Sequence, residues 1–150
     1  MSLSPTIHAS AVLVCRHAVL IQGPSGSGKS RLALALLQAA DSGALPFARL
    51  VADDRAHVEA HHGRLLVRPA EALAGLIEVR GLGIRRVPHE PMAVVSLGVE
   101  LGSNEAERSP SEGRESVLVA GVRLFRLALA SGTDPLPAVL AALGAVPGPG

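Results

Sequence analysis

The sequence predicts an α/β fold whose sheet is covered on both faces, and three observations carry that prediction. The first is Gly23-Pro24-Ser25-Gly26-Ser27-Gly28-Lys29-Ser30, set between apolar runs at 18–21 and 32–37. That order of strand, glycine-rich turn and helix is the setting a phosphate-binding loop needs. The second is a succession of short apolar runs punctuated by Gly, Pro and Asp, the pattern of strands and turns. The third is composition. Hydrophobic residues make up 48% and aromatics 1%, with no Trp or Tyr, so the core has to be built from Ala, Val, Leu and Ile, as in a covered sheet.

At 150 residues the chain has the size of one domain with a real core. We expect a single domain over 1–150, ordered over about 7–143 and with a disordered tail at 144–150. A net charge of +1 with scattered arginines argues against a nucleic-acid partner, and base stacking would lack its aromatic platform. No apolar stretch reaches eighteen residues and no charged-then-apolar leader opens the chain, so no membrane partner is expected. A cytoplasmic protein follows, in which the one cysteine, Cys15, reads as a buried, inert thiol.

In chain order, apolar runs at 11–15 and 18–22 flank Arg16-His17 and read as two strands joined by a tight turn, the second feeding the glycine loop. A helix follows over 29–40, with Leu32, Ala33, Leu36 and Leu37 on one face. Residues 49–54 form a short strand ending in Asp53 and Asp54. Beside the loop strand, such a strand delivers acids to metal and nucleophile, the two pointing to opposite faces; an acidic turn is the competing reading. Runs at 56–60 and 64–67 predict a hairpin whose turn carries His61 and His62, either solvated or, with a third ligand, metal-binding. Pro69 opens a short helix over 70–75.

Glu78 and Arg80 then stand two apart on a strand, hence on one face, before a Gly81-Leu82-Gly83 loop able to close over a ligand. Together they suit metal and phosphate, or else form a surface ion pair. A strand over 92–101, an exposed loop over 102–115, strands over 116–120 and 122–130 and a helix over 136–143 complete the reading.

The glycine loop carries the clearest chemistry. Its backbone N–H groups and the following helix N-terminus make an anion cradle from Gly23, Pro24, Ser25, Gly26, Ser27 and Gly28. Lys29 reaches the β- and γ-phosphates and the Ser30 hydroxyl meets a magnesium ion. Lys29 is the only lysine in the chain, kept where a compact, flexible ammonium is required.

Gly23 to Ser30, Leu50-Val51-Ala52-Asp53-Asp54 and Glu78-Val79-Arg80-Gly81-Leu82-Gly83 together resemble the catalytic C-terminal domain of the HPr kinase/phosphorylase family, whose signature is E-x-R-G-x-G-I. The likeness covers about residues 7–130 and is to the short form without an N-terminal domain. It implies a P-loop kinase domain of the HPr kinase / PEP carboxykinase-like type, with a mixed central sheet and flanking helices. Members transfer the γ-phosphate of ATP to a serine of the phosphocarrier HPr and can remove it by phosphorolysis. The resemblance therefore implies ATP and Mg2+ as cofactors, an HPr-like protein as partner, and a homo-oligomer, hexameric in the family.

Residue by residue, the resemblance implies that Asp53 is general base and that Lys29 stabilises the transferring phosphoryl group. Ser30 and Glu78 would hold magnesium with Asp54 nearby, and Arg80 would bind phosphate or order the signature loop. His8 falls where the family carries a catalytic histidine, and Arg108, ahead of Arg114, is the counterpart of its mobile arginine. Two departures stand out. Arg31 follows Lys29-Ser30 where many members have an acidic residue, and Val122-Arg123-Leu124-Phe125-Arg126 only partly keeps the V-R-P-G-R-N element tied to dephosphorylation. The kinase direction is thus expected over the reverse, and a nucleotide-binding sensor that signals through protein partners is the alternative.

Overall fold

The computed structural model of the chain describes residues 5–103 and 116–145. It opens with β1 (Thr6–His8), β2 (Ser10–Val14) and β3 (His17–Gln22). β2 and β3 form the expected hairpin, paired from Ser10↔Ile21 to Val14↔His17. Cys15 lies in its turn at φ 57 and is exposed, which corrects the expectation of a buried thiol. The apolar run ends at Val14, and the next residue leaves the sheet to reverse the chain.

After the glycine loop, α1 (Lys29–Asp41) buries Leu32, Ala33, Leu36 and Ala39, while Leu37 is partly buried beside them. β4 (Ala48–Ala52) stops short of Asp53, so both carboxylates occupy the bend after the strand rather than the strand itself. A second correction concerns its neighbour. β4 pairs with β2 and is thereby one strand removed from β3, which feeds the loop.

β5 (Arg55–His61) and β6 (Arg64–Pro69) form the predicted hairpin. His62 and Gly63, at φ 52 and 78, make a two-residue turn whose twist matches the strands. Among the described residues no group of three or more His, Cys, Asp or Glu is placed to hold a metal ion, so the turn histidines gain no third ligand. Pro69 ends β6 opposite Ala56, and the helix expected over 70–75 is a single 3₁₀ turn, Glu71–Leu73. Gly75, at φ 77, turns the chain into the next strand before an α-helix can form.

β7 (Leu76–Val79) and β8 (Gly83–Arg86) make a separate two-stranded hairpin. Arg80 consequently lies in its turn and does not continue the strand that carries Glu78. β9 (Ala93–Leu101) is the long central strand. It runs parallel to β3 on one side; on the other it meets β6 at Ala93 and Val94 and then β11 (Val122–Leu129), in parallel, from Leu97 onward. β10 (Val117–Val119) pairs back on β11, and α2 (Pro135–Ala145) closes the described chain. That helix includes Gly144 and Ala145, which were expected in the tail. Residues 146–150, and residues 104–115 with Arg108 and Arg114, lie outside the described residues.

The main sheet runs β1-β5-β6-β9-β3-β2-β4, with β11 on β9 and β10 on β11. Its period-2 side chains part into two cores. Val19 and Ile21 of β3 join Leu32, Ala33 and Leu36 of α1 and Val139 of α2. Ala18 and Leu20 point the other way, into a cluster with Val51, Val58, Leu65, Val67, Val95 and Leu124 that contains no helical residue. Both helices therefore cover one face, and the sheet covers its other face by curling so that β4 packs on β6 and β2 on β5. No helix among the described residues is long and apolar enough to cross a membrane.

Candidate functional site

The loop from Gly23 to Gly28 owes its shape to residues that tolerate left-handed backbone. Gly26 and Gly28 take φ 80 and 100, and Gly28 is the N-cap of α1 with no side-chain cap and no acidic residue in the first turn. No side chain of the helix's own first turn therefore caps its leading N–H groups or offsets its partial positive end. Lys29 Nζ donates to the Gly23 carbonyl at 2.9 Å and the Pro24 carbonyl at 3.3 Å, folding its ammonium back over the loop. Ser27 N–H donates to the Pro24 carbonyl at 3.0 Å, and Ser25 is exposed beside it. Ser27 Oγ is buried with no hydrogen-bond partner among the described residues, a state that costs about 1–3 kcal/mol. An anion in the cradle is the kind of group that relieves it.

Asp53 is the meeting point of the site. It is only 6% exposed and its carboxylate is held by three donors from three elements. Ser10 Oγ donates to Oδ1 at 2.8 Å, Ser30 Oγ donates to the same oxygen at 2.7 Å, and the Glu78 N–H donates to Oδ2 at 3.0 Å. The start of β2, the start of α1 and β7 are pinned to one side chain. Asp54 diverges from it by a different route than strand alternation: it sits at φ 68 and is exposed, with its N–H donating to Ser10 Oγ at 3.2 Å.

Of the residues expected at a metal, Ser30 is brought onto Asp53 and not onto Asp54. The Glu78 side chain is exposed, though its own N–H ties it to Asp53. Hydroxyl and carboxylate oxygens are the hard donors Mg2+ takes, and this ion uses one or two carboxylates together with phosphate oxygens and water. The donor set fits such an ion. Arg80 is exposed in the turn after Glu78. His8 is exposed at the end of β1, next to Ala9, whose N–H donates to the Asp54 carbonyl at 3.1 Å. Arg108 lies outside the described residues.

Two features escaped the sequence reading. Ser10 is fully buried inside an apolar run that gives no hint of a polar task. Glu100, near the C-terminal end of β9, accepts from Arg126 Nε at 3.0 Å and from a terminal guanidinium nitrogen at 2.7 Å. This bidentate pair stands beside the loop, because Glu100 is in register with Gln22. A cavity of about 330 Å³ opens there, lined by Gln22, Gly23, Pro24, Glu100, Leu101, Gly102 and Ser103. It lies beyond the carboxyl ends of parallel strands, where α/β sheets take their ligands. The period-2 pattern of β9 could have flagged Glu100 as a polar residue ending an apolar strand.

The family model described as the HPr Serine kinase C-terminal domain matches residues 1–90. The HPr kinase/phosphorylase of Streptococcus pyogenes serotype M1 is 34% identical over 133 residues, covering 81% of this chain and 41% of that protein. That of Streptococcus thermophilus strain LMD-9 is 45% identical over 80 residues, 53% of this chain and 24% of that protein. The chain thus spans less than half the length of these curated relatives. Among solved structures, the Hpr(Ser) kinase/phosphatase from Coxiella burnetii superposes with a TM-score of 0.74 over 93% of this chain and 88% of that one, at 23% identity. This likeness shows the α/β fold with its mixed sheet.

Proposed function

This chain belongs to the HPr serine kinase C-terminal domain family, and on that premise we propose that it transfers the γ-phosphate of ATP to a serine of an HPr-like phosphocarrier protein. The observation that carries the reading is the convergence on Asp53 of the loop-helix hydroxyl Ser30 and the backbone of Glu78. Phosphoryl transfer asks a protein for positioning, charge neutralisation and one group to take the proton.

Asp53 is that group. A carboxylate offers about four acceptor positions. Ser10 and Ser30 fill Oδ1, and the Glu78 N–H takes one position on Oδ2. The remaining acceptor position is on Oδ2, where the proton of the incoming serine hydroxyl is received; in reverse, the same oxygen returns it. Lys29 exchanges the neutral Gly23 and Pro24 carbonyls for phosphate oxygens, and charge-assisted bonds are about twice as strong as neutral ones. Ser30 and Glu78, with Asp54 nearby, would supply the oxygens for Mg2+, which would neutralise phosphate charge. Arg80 binds phosphate from the hairpin turn, while His8 and Arg108 complete the catalytic set.

The test is transfer from Mg-ATP to HPr by the wild type and by Asp53→Ala. The reading expects serine phosphorylation that the substitution abolishes, and equal labelling would remove Asp53 from the mechanism. Tight ATP binding with no transfer by the wild type would favour the sensor, a reading prompted by the basic, exposed Arg31 beside Ser30.

A further inference from the structure

Ser10 carries a task outside the glycine loop, the Asp53-Asp54 strand end and the Glu78-to-Gly83 stretch. It opens β2 on the same face as Val12 and Val14, which is the face turned toward α1. A hydroxyl at zero exposure is costly there unless bonded, and Ala would fill the position without that cost. The direction of its bonds is fixed by counting protons. Ser10 Oγ accepts the Asp54 N–H at 3.2 Å, so its single proton is free to point at Asp53 Oδ1, 2.8 Å away. The Ala9 N–H bond to the Asp54 carbonyl holds the same bend from its other side.

We propose that Ser10 is a positioning residue that commits Asp53 Oδ1 to the protein's interior and so presents Oδ2 to the acceptor hydroxyl. Ser30, the other hydroxyl on Oδ1, also faces the phosphate cradle and has a second duty there. Ser10 has no contact with the cradle: it is sealed in the sheet, its one proton goes to Asp53, and its oxygen holds the adjoining bend through the Asp54 N–H. Without it Oδ1 keeps only Ser30, which also faces the cradle, and the carboxylate swings more widely about its terminal torsion, which is broad for an aspartate, so that Oδ2 is aimed at substrate less sharply. The inference rests on the assignment of Asp53 as base.

Thr and Val at this position differ only in the hydroxyl, and a β-branched residue suits a strand. The experiment measures kcat and KM for ATP in HPr phosphorylation for Ser10→Ala, Ser10→Val and Ser10→Thr, each first confirmed folded by its melting curve. One bond to a charged group corresponds to roughly a 10- to 100-fold effect. Ala and Val should lose about that much kcat with KM changed less than about twofold, and Thr should stay within about threefold of wild type. In an Asp53→Asn background, Ser10→Ala should cost less than about twofold, since the basic carboxylate that it orients has become an amide. Wild-type kcat in Ala and Val, or Thr as impaired as Val, overturns the proposal. Loss of the same size in both backgrounds also overturns it, by showing a purely structural role. Undiminished transfer by Asp53→Asn alone is a different result, which overturns the base assignment itself.

Discussion

Replacing the Asp53 carboxylate by an amide keeps its size and removes its charge, so Asp53→Asn measures what the three-donor arrangement contributes to stability. Hydrogen bonds to a charged acceptor contribute about 1.5–3 kcal/mol and neutral ones about 0.5–1.5, so each of the three bonds at 2.7, 2.8 and 3.0 Å weakens by roughly 1 kcal/mol. The amide also has one acceptor oxygen. If that oxygen faces the Glu78 N–H, the NH₂ group meets two hydroxyls that had been donating, and Ser10 is already accepting from Asp54. Against this stands the relief of no longer burying a charge at 6% exposure. The bonds share one side chain and do not add fully, leaving a net loss of about 2 kcal/mol. For a chain of this length that lowers the melting temperature by about 4–8 °C. Urea unfolding followed by far-UV circular dichroism is the assay, because the chain has no Trp or Tyr to report by fluorescence. An unchanged or raised midpoint would refute the reasoning, since it would mean the buried charge costs as much as its bonds return.

Other perturbations follow from the same coordinates. At Gly23 a Cβ would fall 2.6 Å from Ser27 Oγ and 2.9 Å from the Leu101 carbonyl; the hydroxyl can swing away and the backbone cannot. Gly23→Ala should therefore shift the loop at a cost of about 1–3 kcal/mol and weaken ATP binding at least about tenfold by calorimetric titration. Arg126 is 12% exposed and its partner Glu100 30%, so Arg126→Lys, which cannot reproduce the two-pronged contact, should lower stability by about 1 kcal/mol in urea. His17 has a pKa lowered from 6.5 by burial first and by Arg64 and Arg16 after it. Its folded pKa lies below the unfolded one, so its contribution is complete above about pH 6.5 and is lost as pH falls through the folded value. Wild type should lose urea stability between pH 7 and 5 more steeply than His17→Gln, and parallel profiles would contradict this.

What the residues disclosed in advance is whatever depends on local geometry. The glycine loop and α1 were legible because a turn with left-handed positions can be written in few ways, and the β5–β6 hairpin because His62-Gly63 marks a two-residue turn. Strand order was not legible. A period-2 run such as 48–52 says which side chains share a face and nothing about its neighbour, so β4 was expected beside β3 when it lies beside β2. The same limit hid Ser10, whose meaning appears only when the start of β2 meets the bend after β4. Arg80 was misread for a local reason: the glycines at 81 and 83, at φ 86 and 85, close a hairpin immediately after Val79. Ser30 came to notice through the glycine-loop motif and Asp53 through the acidic end of its strand, but their contact across 23 positions is a product of the topology.

The central claim, that this site moves phosphate from ATP onto a protein serine, is tested most directly by the intact mass of HPr after a single turnover with Mg-ATP, with the modified residue located by peptide fragmentation. The account predicts one added phosphoryl group on a serine, made by the wild type and absent with Asp53→Ala. HPr left unmodified by a wild type that binds ATP would contradict it.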